Sequence, residues 1–188
     1  DKCCQLVKRI LSIRDERYNI FICDDCSDEN TFIKLKSLID HKVELIQNDR
    51  NLGPCSNWFE TINCGNGKYI LHLLDRDDID VRYLKTILDI LEKNSVGAGY
   101  FGKSALSPVK EIKRQRNFAV CRKGREAFLM MGVPIHPTGF FVERNIWREG
   151  NYKRFFYESN KYGIYPHAYV LGMIAAERDV LYSPIPFY

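Results

Sequence analysis

No apolar run in the chain approaches the roughly 20 residues that span a bilayer, so no stretch reads as a membrane-crossing helix. Charge of one sign is not in large excess. The formal net charge is +4, from 28 basic and 24 acidic residues, which gives no case for nucleic acid as a partner. Cysteine is present but lacks a framework: seven thiols, an odd number without regular spacing, argue for reduced side chains and a cytoplasmic setting. Internal repeats, low-complexity tracts and convincing linkers are missing, so one domain over residues 1–188 is expected. A Gly-rich phosphate loop near the N-terminus is missing too, which counts against a nucleotidyltransferase. What remains is 188 residues, 45% hydrophobic and 28% charged, enough to bury a core without staples.

Hydrophobic spacing predicts alternating elements. Residues 1–12 read as a helix with Leu6, Val7, Ile10 and Leu11 on one face. Asn19 to Cys23 is a short apolar strand, and Thr31 to Ile39 a helix with Ile33, Leu35, Leu38 and Ile39 as core. Val43 to Gln47 is a strand, followed by a polar loop and a helix that Pro54 opens, with Trp58, Phe59 and Ile62 inward. Tyr69 to Leu74 is a strand, and Val81 to Lys93 a helix with Leu84, Ile87, Leu88 and Leu91 at core spacing. Strands are expected again near Gly97 to Phe101, Gly139 to Val142 and Val180 to Tyr182, and helices at Arg144 to Trp147 and Ala168 to Glu177. The alternation predicts an α/β fold, Rossmann-like, with a mostly parallel mixed sheet flanked by helices. The alternation is regular over residues 1–95 and less so over 96–188.

Such sheets bind ligands at the carboxyl ends of their strands. Two acidic clusters fall there: Asp24-Asp25, and Asp75-Arg76-Asp77-Asp78. Carboxylates held close together raise one another's pKa unless a cation neutralises them. The second cluster therefore predicts a divalent metal, and a phosphate beside it. A helix N-cap would need only one or two of these acids. The loop Gln47 to Asn51 closes a third strand end and could face the same crevice.

Phe21 to Asp28 resembles the "VDDGSTD" segment of family 2 glycosyltransferases, with Cys26 at a turn position that is usually Gly. Asn51 to Asn57 resembles their "NxGxxxxRN" segment, and Gly67 to Asp78 their "GeYi…flDaDD" segment. The three occur in order and at fitting spacing. The resemblance implies the GT-A fold and transfer of a sugar from a nucleotide diphosphate donor, a UDP-sugar by preference, to a saccharide or lipid-linked acceptor. The implied role is cell-surface polysaccharide synthesis, with contact, if any, at the inner face of the membrane. It implies that Asp25 accepts from the nucleotide base, that Asn51 shapes the nucleotide pocket, and that Asp75 and Asp77 form the Asp-x-Asp pair reaching ribose and metal, Mg²⁺ or Mn²⁺. It also implies an apolar strand in mid-sheet, ahead of the first helix, that is not seen in residues 1–188. The acid pair that usually precedes the last helix is not visible. His167 stands near its place and could serve as general base, since imidazole titrates near neutral pH; Glu143 and Glu158 are secondary candidates. A histidine packed among aromatics is the alternative for His167. A catalytically degenerate sugar-nucleotide-binding protein is the alternative for the whole.

Other motifs read as incidental. Cys23-Asp24-Asp25-Cys26 is formally C-x-x-C, but its central carboxylates oppose thiolate formation, and no second such pair completes a zinc site. Gly97 to Gly102 is formally G-x-G-x-x-G, yet it follows a helix instead of opening one. The basic stretch Lys110 to Arg125 reads as a solvated face that could meet a diphosphate or an anionic surface. His136-Pro137-Thr138-Gly139 reads as a turn that could line an acceptor site.

Overall fold

The computed structural model describes residues 2–102, 118–131, 136–152, 165–185 and 187. Four helices and three strands alternate in the first half. They are α1 (Lys2–Leu11), β1 (Ile20–Asp24), α2 (Glu29–Lys36), β2 (Val43–Gln47), α3 (Pro54–Cys64), β3 (Tyr69–Leu71) and α4 (Leu84–Lys93), the last entered through a 3-10 turn at Val81–Tyr83. The second half adds β4 (Ala98–Phe101), β5 (Ala119–Cys121), α5 (Arg125–Met131), β6 (Phe140–Glu143), α6 (Arg144–Glu149), α7 (Pro166–Glu177) and β7 (Val180–Ser183). β5 and α5 were not anticipated, because the basic residues around them mask any apolar period. Of that stretch, Lys110, Lys113, Arg114 and Arg116 lie outside the described residues, as does Glu158.

The expected mixed α/β architecture forms, with two departures in the sheet. The described strands make two sheets, β1-β2 and β3-β6-β4-β7-β5. Pairing is parallel for β1-β2 and β4-β7 and antiparallel for β3-β6, β4-β6 and β5-β7. The sheet is therefore more mixed than parallel, because β6 inserts antiparallel between β3 and β4. β1 and β3 do not pair with each other. Instead their residues, Phe21 and Ile22 on one side and Tyr69 to Leu71 on the other, line a common cleft of about 740 Å³.

Burial follows the predicted faces with instructive exceptions. Leu6, Val7 and Ile10 of α1 and Trp58, Phe59 and Ile62 of α3 are buried as expected. In α4 Leu84, Ile87 and Leu91 are buried, joined by Ile90, while Leu88 is only half-buried. α2 departs most: only Leu35 is buried, while Ile33 and Ile39 are exposed. This short helix packs one residue, Leu35, against Val7 of α1 and Ile22 and Val43 of the small β1-β2 sheet. α7 is buried nearly all round, with Val170, Leu171, Ile174 and Ala175 wholly covered, as a helix without a polar face must be.

The β3 strand is shorter than its apolar run suggests. Its pairing continues irregularly: the His72 N–H donates to the Phe140 carbonyl (2.8 Å), and the Gly139 N–H to the His72 carbonyl (3.0 Å). The Gly139 carbonyl accepts from the Phe101 N–H (2.8 Å). Gly139 is thus wedged between two strands at φ +92°, and a Cβ there would lie 1.9 Å from the Phe101 carbonyl oxygen. Gly139→Ala is expected to cost about 3 kcal/mol through strain and overpacking. A lowered midpoint at unchanged slope in urea denaturation checks this.

Candidate active site

β1 delivers Asp24 and Asp25 to the cleft, and their environments separate their roles. Asp24 is buried and locally consumed. Its Oδ2 accepts from the Ser27 N–H (3.2 Å) and from Gln47 Nε2 (2.9 Å). Asp25 is half-buried, and its Oδ1 accepts from the Leu52 N–H (2.8 Å) and Asn48 Nδ2 (3.0 Å). Its Oδ2 accepts from the Gly53 N–H (2.9 Å). A carboxylate offers about four lone-pair positions, so one on Oδ2 is left for a ligand donor. Two of the bound donors are backbone amides at the start of α3, where the helix dipole favours an anion. Cys26 then reverses the chain at φ +59°, the left-handed geometry that explains why glycine is common at such a turn.

Asn51 acts locally: its Oδ1 accepts from the Gly53 N–H (3.0 Å), an Asx turn that shapes the loop. The side chain that touches Asp25 is Asn48, which also donates to Asn57 Oδ1 (2.9 Å). Asn57 in turn donates to the Cys23 carbonyl (3.4 Å). Asn48 and Asn57 were not singled out from the sequence, although both lie inside segments that were. Their roles depend on β1, β2 and α3 meeting, which no local pattern encodes.

The second acidic cluster does not crowd together. Asp78 Oδ1 accepts from Arg9 Nη1 of α1 (2.6 Å), and the Arg9 guanidinium also donates to the Ile79 carbonyl. Asp77 is half-buried, and its Oδ2 accepts from the Thr138 hydroxyl. Asp75 is exposed and lines the same cleft as Asp24, Asp25 and Arg76. The fold thus disperses the mutual repulsion from which the metal was first argued. Among the described residues, no group of three or more His, Cys, Asp or Glu is placed to hold a metal.

Histidines surround the turn. His72 is fully enclosed, and burial pushes its pKa down to about 3 despite a bond to the Pro137 carbonyl, so it stays neutral. His136 Nδ1 accepts from the Thr138 N–H (3.4 Å) and lies 3.6 Å from Asp77 Oδ2. His167 occupies the first turn of α7 but is only 4% exposed. Its ring packs 6.1 Å from Trp58 and 5.7 Å from Tyr165. The imidazole beside the Asp75-Arg76-Asp77 turn is therefore His136, while His167 belongs to the aromatic cluster centred on Trp58. Glu143 is spent as a cap, its Oε2 accepting from the Ile146 N–H (2.9 Å) at the start of α6.

The model of the family described as glycosyl transferase family 2 matches residues 4–173. The chain belongs to glycosyl transferase family 2. Among solved structures, the crystal structure of S. aureus TarS 1-349 is similar, with a TM-score of 0.55 at 14% identity. The match covers 96% of this chain and 56% of that one, so the chain spans little more than half of that structure. None of the curated proteins matches. Family and fold likeness agree on the GT-A fold. No helix among the described residues is long and apolar enough to cross a membrane.

One thiol pair lies where β1 meets α3 in this family 2 domain. Cys64, the last residue of α3, directs its thiol at Cys23 Sγ, 3.9 Å away. That contact lowers the Cys23 pKa to about 7, while the Cys64 thiol is pushed up. Cys23 thiolate therefore accumulates as pH rises through about 7, below the usual thiol range. Iodoacetamide labelling followed by mass spectrometry should show Cys23 reactivity rising through neutral pH. In Cys64→Ala that midpoint should move upward by more than one pH unit.

Proposed function

We propose that the domain transfers a sugar from a nucleotide diphosphate donor, a UDP-sugar by preference, to a hydroxyl of a saccharide or lipid-linked acceptor. The observation that carries this reading is convergence: Asp25, at the end of β1, and Asp75, beyond the end of β3, line one cleft although 50 residues separate them. Asp25, held by three donors, keeps one lone pair for an N–H of the base. Asp75 faces the cleft for ribose and diphosphate.

Mg²⁺ or Mn²⁺ in nucleotide sites takes one or two carboxylates and completes its shell with phosphate oxygens and water. Asp75, exposed, and Asp77, whose Oδ1 engages no described residue, fit that requirement without a third protein ligand. The ion would supply charge neutralisation for the departing diphosphate. Asp25 and Asp75 orient the donor from opposite sides of the cleft. His167 is the group we assign to take the acceptor's proton, from the first turn of α7, where no acidic residue stands. Catalytic contacts often tighten only with substrate in place. Residues 1–95 act as the donor half and 96–188 as the acceptor half. Cell-surface polysaccharide synthesis on the cytoplasmic side is the matching role, and the basic residues at 110–125 suit peripheral contact with an anionic surface.

The enclosure of His167 favours a second reading, a degenerate domain that binds the nucleotide sugar without transferring it. Two measurements separate them. Isothermal calorimetry should show UDP binding that strengthens at least tenfold with Mn²⁺ and is lost in Asp75→Ala; no Mn²⁺-dependent binding of any nucleoside diphosphate would remove the proposal. His167→Ala should abolish transfer while leaving UDP affinity within twofold, whereas unchanged turnover removes it as the base.

A further inference from the structure

We infer that Thr138 is a positioning residue for the Asp75-Arg76-Asp77 turn, fixing the carboxylate of Asp77 through one oxygen and leaving the other for a divalent cation. The inference rests on the metal-dependent reading above. Thr138 is wholly buried and lies 61 positions from Asp77 in sequence. Its Oγ1 accepts from the Leu74 N–H (2.9 Å). A hydroxyl has one hydrogen to give, and the described geometry sends it to Asp77 Oδ2. The turn between these two anchor points is itself closed by the Asp77 N–H on the Leu74 carbonyl (3.2 Å). One side chain therefore ties both ends of the turn that carries the Asp-x-Asp pair.

The neighbouring imidazole does not share this task. His136 Nδ1 accepts from the Thr138 amide and lies 3.6 Å from Asp77 Oδ2, which is too long for a hydrogen bond. The Thr138 hydroxyl is the donor that orients Asp77. With Oδ2 committed to it, Oδ1 is the oxygen available to a ligand. Thr138 is held in turn by its neighbour Gly139, whose amide and carbonyl are locked between His72 and Phe101. The segment before β6 thus reaches the turn through the Thr138 hydroxyl. Groups that orient metal ligands typically change metal affinity 10- to 100-fold when removed.

The test is calorimetric titration of Mn²⁺ into the protein saturated with UDP, beside thermal melting without metal. Thr138→Val keeps the shape but gives neither hydrogen bond; it should weaken Mn²⁺ binding about tenfold or more. Thr138→Ser should restore it to within threefold. In an Asp77→Ala background, Thr138→Val should add no further loss. Equal Mn²⁺ affinity in wild type and Thr138→Val overturns the inference alone. So does a tenfold loss that persists in the Asp77→Ala background, because it would then arise from general destabilisation. Wild-type protein that binds UDP without any Mn²⁺ dependence overturns the metal reading itself and the inference with it. If Thr138→Val does not fold, the Ser variant compared with Thr138→Ala, each with and without Asp77→Ala, decides by the same criteria.

Discussion

The placement of β6 between β3 and β4 is the constraint on which the site depends. Phe140, Phe141 and Val142 are completely buried; Phe141 and Val142 pair antiparallel on both sides, and Phe140 pairs with β4. Burying three such side chains stabilises this strand by several kcal/mol, so its position between two covered faces is strongly fixed. The residues just before it inherit that precision. Gly139 fits only because it has no side chain against Phe101, and Thr138 then meets the turn that follows β3. Apolar packing deep in the sheet thereby sets the position of a polar turn at its edge.

A different device holds the corner around Asp25. Asp25 is fixed by hydrogen bonds from Asn48, Leu52 and Gly53, which come from the β2-α3 connection. β1 and β2 pair only with each other, so this corner is joined to the rest through α1, α3 and the cleft. Helix α3 is the main tie. The residues leading into it bind Asp25, while Trp58, Phe59 and Ile62 lock it into the large aromatic core with Phe140 and Trp147. The clamp on the carboxylate is worth more than its count suggests, since hydrogen bonds to a charged acceptor exceed neutral ones. The surface pair between Arg9 and Asp78, exposed on both sides, adds little by comparison.

Charge is managed by separation more than by cancellation. Of the acids that follow β3, Asp78 meets a guanidinium, Asp77 a hydroxyl and Asp75 the open cleft. The result is a turn whose carboxylates are individually satisfied or solvated, with Asp75 and one oxygen of Asp77 available for a ligand. Among the described residues these carboxylates form no closed cage for a metal ion.

The sequence by itself determined the alternation of helices and strands in the first half, the carboxylates at two strand ends and the family to which the chain belongs. These are local facts: apolar periods, a turn residue at Cys26, Pro54 at a helix start, and motifs in order. Tertiary structure alone decided which acids converge. Asp25 and Asp75 share a cleft and Asp78 does not, because β1 and β3 face one another across the gap between two sheets. It also decided that Asn48 and Thr138 orient the acids, that His136 lies nearer the turn than His167, and that Ile33 and Ile39 stay outside the core. Each of these depends on contacts between segments tens of residues apart. A hydrogen bond between a threonine and an aspartate in distant turns leaves no periodic trace in either segment, so only the folded chain reveals it.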